Sequence, residues 1–317
     1  MNGLRGLRPA ALTVALSCCL AGQAVAQEGG VVPDGARCDK PQAPGTVAHT
    51  LRSGNLDREF LMVVPERYDG TTPLPTVLAF HGSGSGPEEQ LALSGLAAAA
   101  EERGLLVLAP RATAPWPSGG TTWNVPPEPE QPDDVEFVTA LIGEAAQYVC
   151  LDSARVYASG FSGGARLSSQ LGCDLADRIA AIGAVGGLRH PAQCAPARPV
   201  PIVAFHGTAD PINPYPGGGP AYRGHGVEDA LQSWAEQRTQ EPRSQEALTE
   251  TVTLIRYGDD EADLLLYRLE RVGHVWPGTS LELPVERLGP MSGEIDATRI
   301  MLDFFRRYAL PSASRAK

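Results

Sequence analysis

The chain has 317 residues, 43% of them hydrophobic and 20% charged, with a formal net charge of −11. This composition excludes a disordered or fibrous protein. With no basic patch against that acidity, nucleic acid is excluded as a partner and anionic polymers are repelled.

Residues 1–26 carry the features of an export signal. Arg5 and Arg8 supply a short positive region, residues 9–21 an apolar stretch, and Ala24-Val25-Ala26 a small-x-small cleavage site before Gln27. The apolar run is too short to span a bilayer as a helix, and no later segment is apolar over the required length. A lipoprotein signal at Cys18 or Cys19 is the competing reading, and Leu16-Ser17-Cys18-Cys19 matches it poorly. Cleavage after Ala26 removes two arginines and no acid, which leaves −13 on residues 27–317. That remainder is expected to be one α/β domain, secreted or periplasmic, monomeric, and not associated with a membrane once the signal is gone.

Four cysteines remain after the signal: Cys38, Cys150, Cys173 and Cys194. An even set in an exported chain suggests disulfides, and four cysteines allow three connectivities. The pairing expected is Cys173 with Cys194, tying the helix near residue 171 to a loop, and Cys38 with Cys150, tying the N-terminal end to the body. Free buried thiols are the alternative. No Cys-x-x-Cys or clustered His spacing suggests zinc.

In chain order, residues 46–51 and 60–64 read as an opening antiparallel strand pair. Short continuous apolar runs at 76–80, 104–109, 155–159, 179–185, 200–205 and 264–269 suit strands covered on both faces. Helical stretches fall between and after them. Residues 88–102 are rich in Ala and Leu, and 134–148 place Val138, Leu141, Ile142 and Ala145 at helical spacing. Residues 164–171, 227–240 and 297–308 complete the set. Alternating strands and helices imply right-handed βαβ units and a mostly parallel central sheet with helices on both faces. Ligands then bind at the carboxyl ends of the strands. Two stretches dense in Pro and Gly, 114–133 and 211–226, are expected at the mouth of that site.

The sharpest motif is Gly160-Phe161-Ser162-Gly163-Gly164, between the strand at 155–159 and a helix. This strand–turn–helix context is that of a nucleophile elbow, in which small residues must flank the serine because the bend is tight. A serine hydroxyl needs a base to take its proton, normally histidine. Of the six histidines, His274 follows the last strand and completes the chain order Ser…Asp…His, with His225 second. His49, His81, His190 and His206 sit earlier or beside other roles. Asp210, in the loop after the strand at 200–205, is the expected acid that orients the imidazole. Asp133 and Asp134 precede the serine and Asp296 follows His274, positions that suit helix caps. A tetrahedral intermediate needs backbone N–H donors. One is expected from Gly163 and the other from Ser83, or from neighbouring Gly82, in the loop after residue 80. Trp116, Trp123 and Trp276 fall in mouth loops, where they could hold an acyl or sugar group or simply pack the core. Nothing points to a metal or an organic cofactor.

With these residues in place, the chain resembles the secreted polyhydroxybutyrate depolymerase-like esterases, which are related to the feruloyl and acetyl-xylan esterases of carbohydrate esterase family one. The resemblance is carried by Arg155-Val156-Tyr157, Trp123-Asn124 with Asp133-Asp134-Val135, and His206-Gly207-Thr208-Ala209-Asp210. It extends to Gly273-His274-Val275-Trp276-Pro277-Gly278 and to Phe304-Phe305 in the last helix. It implies the α/β-hydrolase fold over residues 27–317, a Ser162–Asp210–His274 triad, and hydrolysis of small or oligomeric esters through an acyl-enzyme. Gly163 departs from the larger residue that members often carry there, and Gly164-Ala165 departs from their small-residue pattern. Polymer-degrading members often add a linker and a binding domain after the last helix, so soluble esters are expected here. An acyltransferase with the same triad and a non-catalytic binding protein on this scaffold are the competing functions.

Overall fold

A computed structural model describes residues 38–218, 224–237, 243–257 and 264–311. The expected export signal, residues 1–26, lies outside the described residues. Twelve strands are present among them: β1 (Gly45–Ser53), β2 (Leu56–Val64), β3 (Leu74–Phe80), β4 (Leu106–Pro110), β5 (Ala114–Pro115), β6 (Thr121–Thr122), β7 (Leu151–Phe161), β8 (Ala181–Val185), β9 (Ile202–Gly207), β10 (Arg243–Ala247), β11 (Val252–Tyr257) and β12 (Leu264–Leu269). Ten form one sheet in the order β1-β2-β4-β3-β7-β8-β9-β12-β11-β10, and β5 pairs with β6 in a separate hairpin. The six strands from β4 to β12 run parallel, flanked on each side by antiparallel strands.

The apolar runs of the central strands are continuous because both faces are covered. In β3, Leu78 and Phe80 enter one core while Val77 and Ala79 enter the other; β4 divides Leu106 and Leu108 from Val107 and Ala109 in the same way. The first core is closed by α3 (Asp134–Tyr148), α4 (Gly163–Asp174) and α5 (Val227–Glu236), the second by α2 (Leu96–Arg103) and α7 (Ala297–Phe305). The single helix expected over 88–102 is two, α1 (Pro87–Ser94) and α2, because Gly95 takes a left-handed conformation at φ 65°. A short helix, α6 (Val285–Leu288), was not expected. Nor were β10 and β11; β10 is exposed along its whole length and lacks an apolar signature, whereas β11 is a buried apolar run that the sequence reading passed over.

Three staples hold the body, two of them disulfides. Cys38–Cys150 and Cys173–Cys194 are both bonded, with Cα separations of 5.9 and 5.5 Å, the pairing expected from sequence. Their sequence separations of 112 and 21 residues correspond to about 5 and about 3 kcal/mol of lost unfolded-chain entropy. The other staple is ionic. Arg58 on β2 donates to Asp134 Oδ1 at 2.7 Å, and both side chains are buried. The Asn124 backbone N–H donates to Asp134 Oδ2 at 2.7 Å, and the Asn124 amide in turn binds Glu128 and Pro132. The Trp123-Asn124…Asp133-Asp134 motif is thus a loop anchor, with Asp133 capping α3 through Val135 and Glu136. Among the described residues, no helix is long and apolar enough to cross a membrane.

Removing one partner of a buried ion pair leaves the other uncompensated, at a cost of about 3–5 kcal/mol. Arg58→Ala is therefore expected to lower the urea-unfolding free energy by that amount. Pairing Arg58→Met with Asp134→Leu should recover part of it. A loss under about 1 kcal/mol for the single variant would show that the pair does not anchor the loop.

Candidate active site

Five loops at the carboxyl ends of parallel strands build the site. They follow β3 (residues 81–86), β7 (Ser162), β8 (186–193), β9 (208–213) and β12 (270–278). Parallel strands put these ends on one edge of the sheet, which is why residues far apart in sequence meet.

The turn between β7 and α4 is the tightest point. Ser162 sits at φ 53° and ψ −110°, sparsely populated ground for a residue with a side chain, and its N–H donates to the Val185 carbonyl at 2.8 Å. Such a residue stores about 1–3 kcal/mol that its surroundings must hold in place. A Cβ on Gly160 would lie 2.3 Å from the Gly164 backbone, and one on Gly164 would lie 2.1 Å from the Phe80 carbonyl oxygen. Only glycine fits at either position.

His274 Nδ1 donates to Asp210 Oδ2 at 2.7 Å, and both side chains are buried. That bond places the proton on Nδ1 and leaves Nε2 as a proton acceptor. The imidazole packs on Phe161, the neighbour of Ser162, at 4.7 Å between ring centroids, and it closes against Gly186. Asp210 Oδ1 accepts from the backbone N–H groups of Ile212 and Asn213 at 2.8 and 2.7 Å. His206 Nε2 lies 3.3 Å from Oδ2 and donates to the Asn213 carbonyl at 2.8 Å. Burial alone would raise the Asp210 pKa; the hydrogen bonds from His206 and His274 outweigh it and hold the carboxyl well below the usual range. For His274, burial outweighs the pull of Asp210 and pushes the imidazole below its ordinary value.

The turn that carries Ser162 meets the loop that carries Ser83. A Cβ built on Gly163 would lie 3.2 Å from the Ser83 backbone nitrogen and 2.6 Å from the Ser83 Oγ, so the turn after β7 and the loop after β3 are in close contact. The same contact explains why residue 163 is small here, since a larger side chain would displace Ser83. Ser83 Oγ is held by the Thr122 hydroxyl at 2.7 Å, which ties the loop to the β5–β6 hairpin.

The tryptophans divide. Trp123 is buried in the core beneath the site, its indole N–H donating to the His81 carbonyl at 2.8 Å and its ring edge-on to Phe80. Trp276 is also buried, donating to Thr298 at 2.9 Å. Both satisfy their N–H inside the protein, which corrects the expectation that they face a ligand. Trp116, partly exposed, lies beside Gly84 in the loop that carries Ser83 and remains the aromatic candidate. Asp296 caps α7 through Arg299. His225 lines a cavity, and His274 occupies the position facing Asp210. Sequence reasoning missed the parts played by His206 and Asn213; the i, i+4 spacing of His206, at the end of β9, and Asp210, in the loop after it, was the available signal. Among the described residues, no cluster of three or more His, Cys, Asp or Glu is placed to hold a metal.

Glycine adopts the backbone of residue 162 without strain. Ser162→Gly is therefore expected to raise the unfolding midpoint by about 2–4 °C, the strain relieved exceeding the added unfolded-chain entropy by about 1 kcal/mol. A lower midpoint would show that the turn is unstrained. Protonated His274 cannot act as a base, and its pKa is depressed. Activity should thus persist as pH falls to 6.5 and disappear only below it; an acidic limb of kcat/KM centred above 7 would oppose this assignment.

No family model matches the chain. Feruloyl esterase B of Piromyces equi is 32% identical over 167 residues, 51% of this chain and 31% of that protein. A putative esterase, NocK, of Nocardia uniformis subsp. tsuyamanensis is 33% identical over 150 residues, 45% of this chain and 42% of its own length. The chain therefore spans less than half the length of these curated relatives. Among solved structures, acetyl xylan esterase from Aspergillus awamori superposes with a TM-score of 0.57 at 14% identity, over 82% of this chain and 99% of that one. The chain has the α/β-hydrolase fold and is related in sequence to esterases, a feruloyl esterase among them.

Proposed function

We propose that the chain is an exported serine carboxylic ester hydrolase that works through an acyl-enzyme on small or oligomeric esters. The observation that carries this reading is the 2.7 Å bond from His274 Nδ1 to Asp210 Oδ2, made beside a strained serine at the end of a parallel strand. His274 Nε2 removes the Ser162 proton as Oγ attacks the ester carbonyl carbon. The resulting oxyanion is held by the N–H groups of Gly163 and Ser83. The intermediate collapses and expels the alcohol, which takes the proton from His274. Water then repeats the sequence on the acyl-enzyme and frees the acid and Ser162. Asp210 stays ionised throughout and stabilises the imidazolium.

The substrate class draws on the named relatives, a feruloyl esterase and an acetyl xylan esterase, and on the family resemblance, which adds hydroxyalkanoate oligomers. Two disulfides suit an oxidising compartment and support export. Ser162→Ala is expected to abolish p-nitrophenyl ester turnover while circular dichroism and the unfolding midpoint show an intact fold. Undiminished turnover in that variant would end this reading. A panel of methyl ferulate, acetylated xylan and hydroxybutyrate oligomers, run on the wild type, then assigns the ester.

A further inference from the structure

A cavity of about 610 Å³ opens beside the candidate site, in the size range of small-molecule sites. Its charge runs against that of the molecule. The chain carries 37 acidic and 26 basic residues, yet the described lining includes Arg166, Arg189, His190 and His225 and no Asp or Glu. Gln170 and Gln193 add neutral polar groups.

Arg166 connects this cavity to the serine. It sits in the first turn of α4, its N–H reaching the Ser162 carbonyl at 3.2 Å. Its side chain is mostly buried, and its Nη2 lies 3.5 Å from Ser83 Oγ and 3.5 Å from where a Cβ of residue 163 would be. A cation is thus held beside Ser83 and Gly163 at the wall of the cavity. Arg189 is fixed on the loop after β8. Its backbone N–H donates to Ser169 Oγ on α4 at 3.2 Å, and its Nη1 donates to the Leu188 carbonyl at 2.6 Å. Two guanidiniums held at the wall of one cavity place positive charge where a carboxylate would be attracted.

Building on the esterase reading, we propose that this cavity selects esters bearing a free carboxylate, with Arg166 and Arg189 as its charge partners. The substrate is then a half-ester of a dicarboxylic acid or an ester of a hydroxy acid whose own carboxyl is free. The carboxylate enters the cavity while the ester carbonyl lies against Ser162. The net negative charge of the chain disfavours such a substrate in general, so the cation-lined wall supplies selectivity as well as affinity.

The test compares kcat/KM for two matched pairs on the full chain at low salt. Mono-p-nitrophenyl glutarate against its methyl ester places the charge on the acyl side. 3-Acetoxybutanoate against its methyl ester places it on the alcohol side. At least a tenfold preference for the anion in one pair is expected, and it should collapse toward unity in Arg166→Gln and in Arg189→Gln and shrink in 0.5 M salt. No preference in either pair would overturn the proposal, as would a preference that survives both substitutions. If no ester of either pair, anionic or neutral, is turned over, the esterase reading falls by itself. Calorimetry with glutarate against glutaramide then judges the cavity: tighter glutarate binding lost in Arg189→Gln supports it, and equal binding rejects it.

Discussion

The Asp210 carboxylate is the point on which the site's geometry converges. It accepts from two backbone amides of its own loop, from His274 and, at longer range, from His206. A buried carboxylate with fewer partners would protonate or leave the interior. The need to satisfy it therefore fixes the loop after β9, and through His274 it fixes the loop after β12. Asn213 extends the reach, because its side chain donates to the Gly186 carbonyl at 2.6 Å and so pins the loop after β8. Three strand-end loops are positioned by one charge and the groups that surround it.

The second constraint is crowding at the turn after β7. Glycine at 160 and 164 lets α4 approach β3 within distances no side chain allows, and the strain at Ser162 is the consequence of that closeness. The orienting pair and the strained serine belong to different strands. Their meeting therefore depends on the order of parallel strands β7, β8 and β9 and on β12 lying beside β9.

Much of this was legible in the sequence because the signals were local. Continuous apolar runs marked the six parallel strands, and the glycine pattern marked the elbow. The order of Ser162, Asp210 and His274 is the one this fold's topology leads one to expect, whereas the cysteines left three pairings open and the folded chain chooses the one expected here. What escaped was set by tertiary context. Trp123 and Trp276 lie in loops dense in turn formers, yet their indoles turn inward and find acceptors at His81 and Thr298. The exposed strand β10 carries no apolar pattern and is made by pairing with β11 alone. The part played by His206 depends on a loop curling back on itself, and composition does not record that.

The central claim is that the Ser162 hydroxyl is a nucleophile activated by His274. Intact-mass and peptide mass spectrometry after treatment with a fluorophosphonate measures this without any assumption about the natural ester. One phosphonyl adduct, mapped to the peptide containing Ser162 and lost when His274 is replaced by Ala, is the expected result. An unlabelled chain, or an adduct on another residue with Ser162 untouched, would refute the assignment.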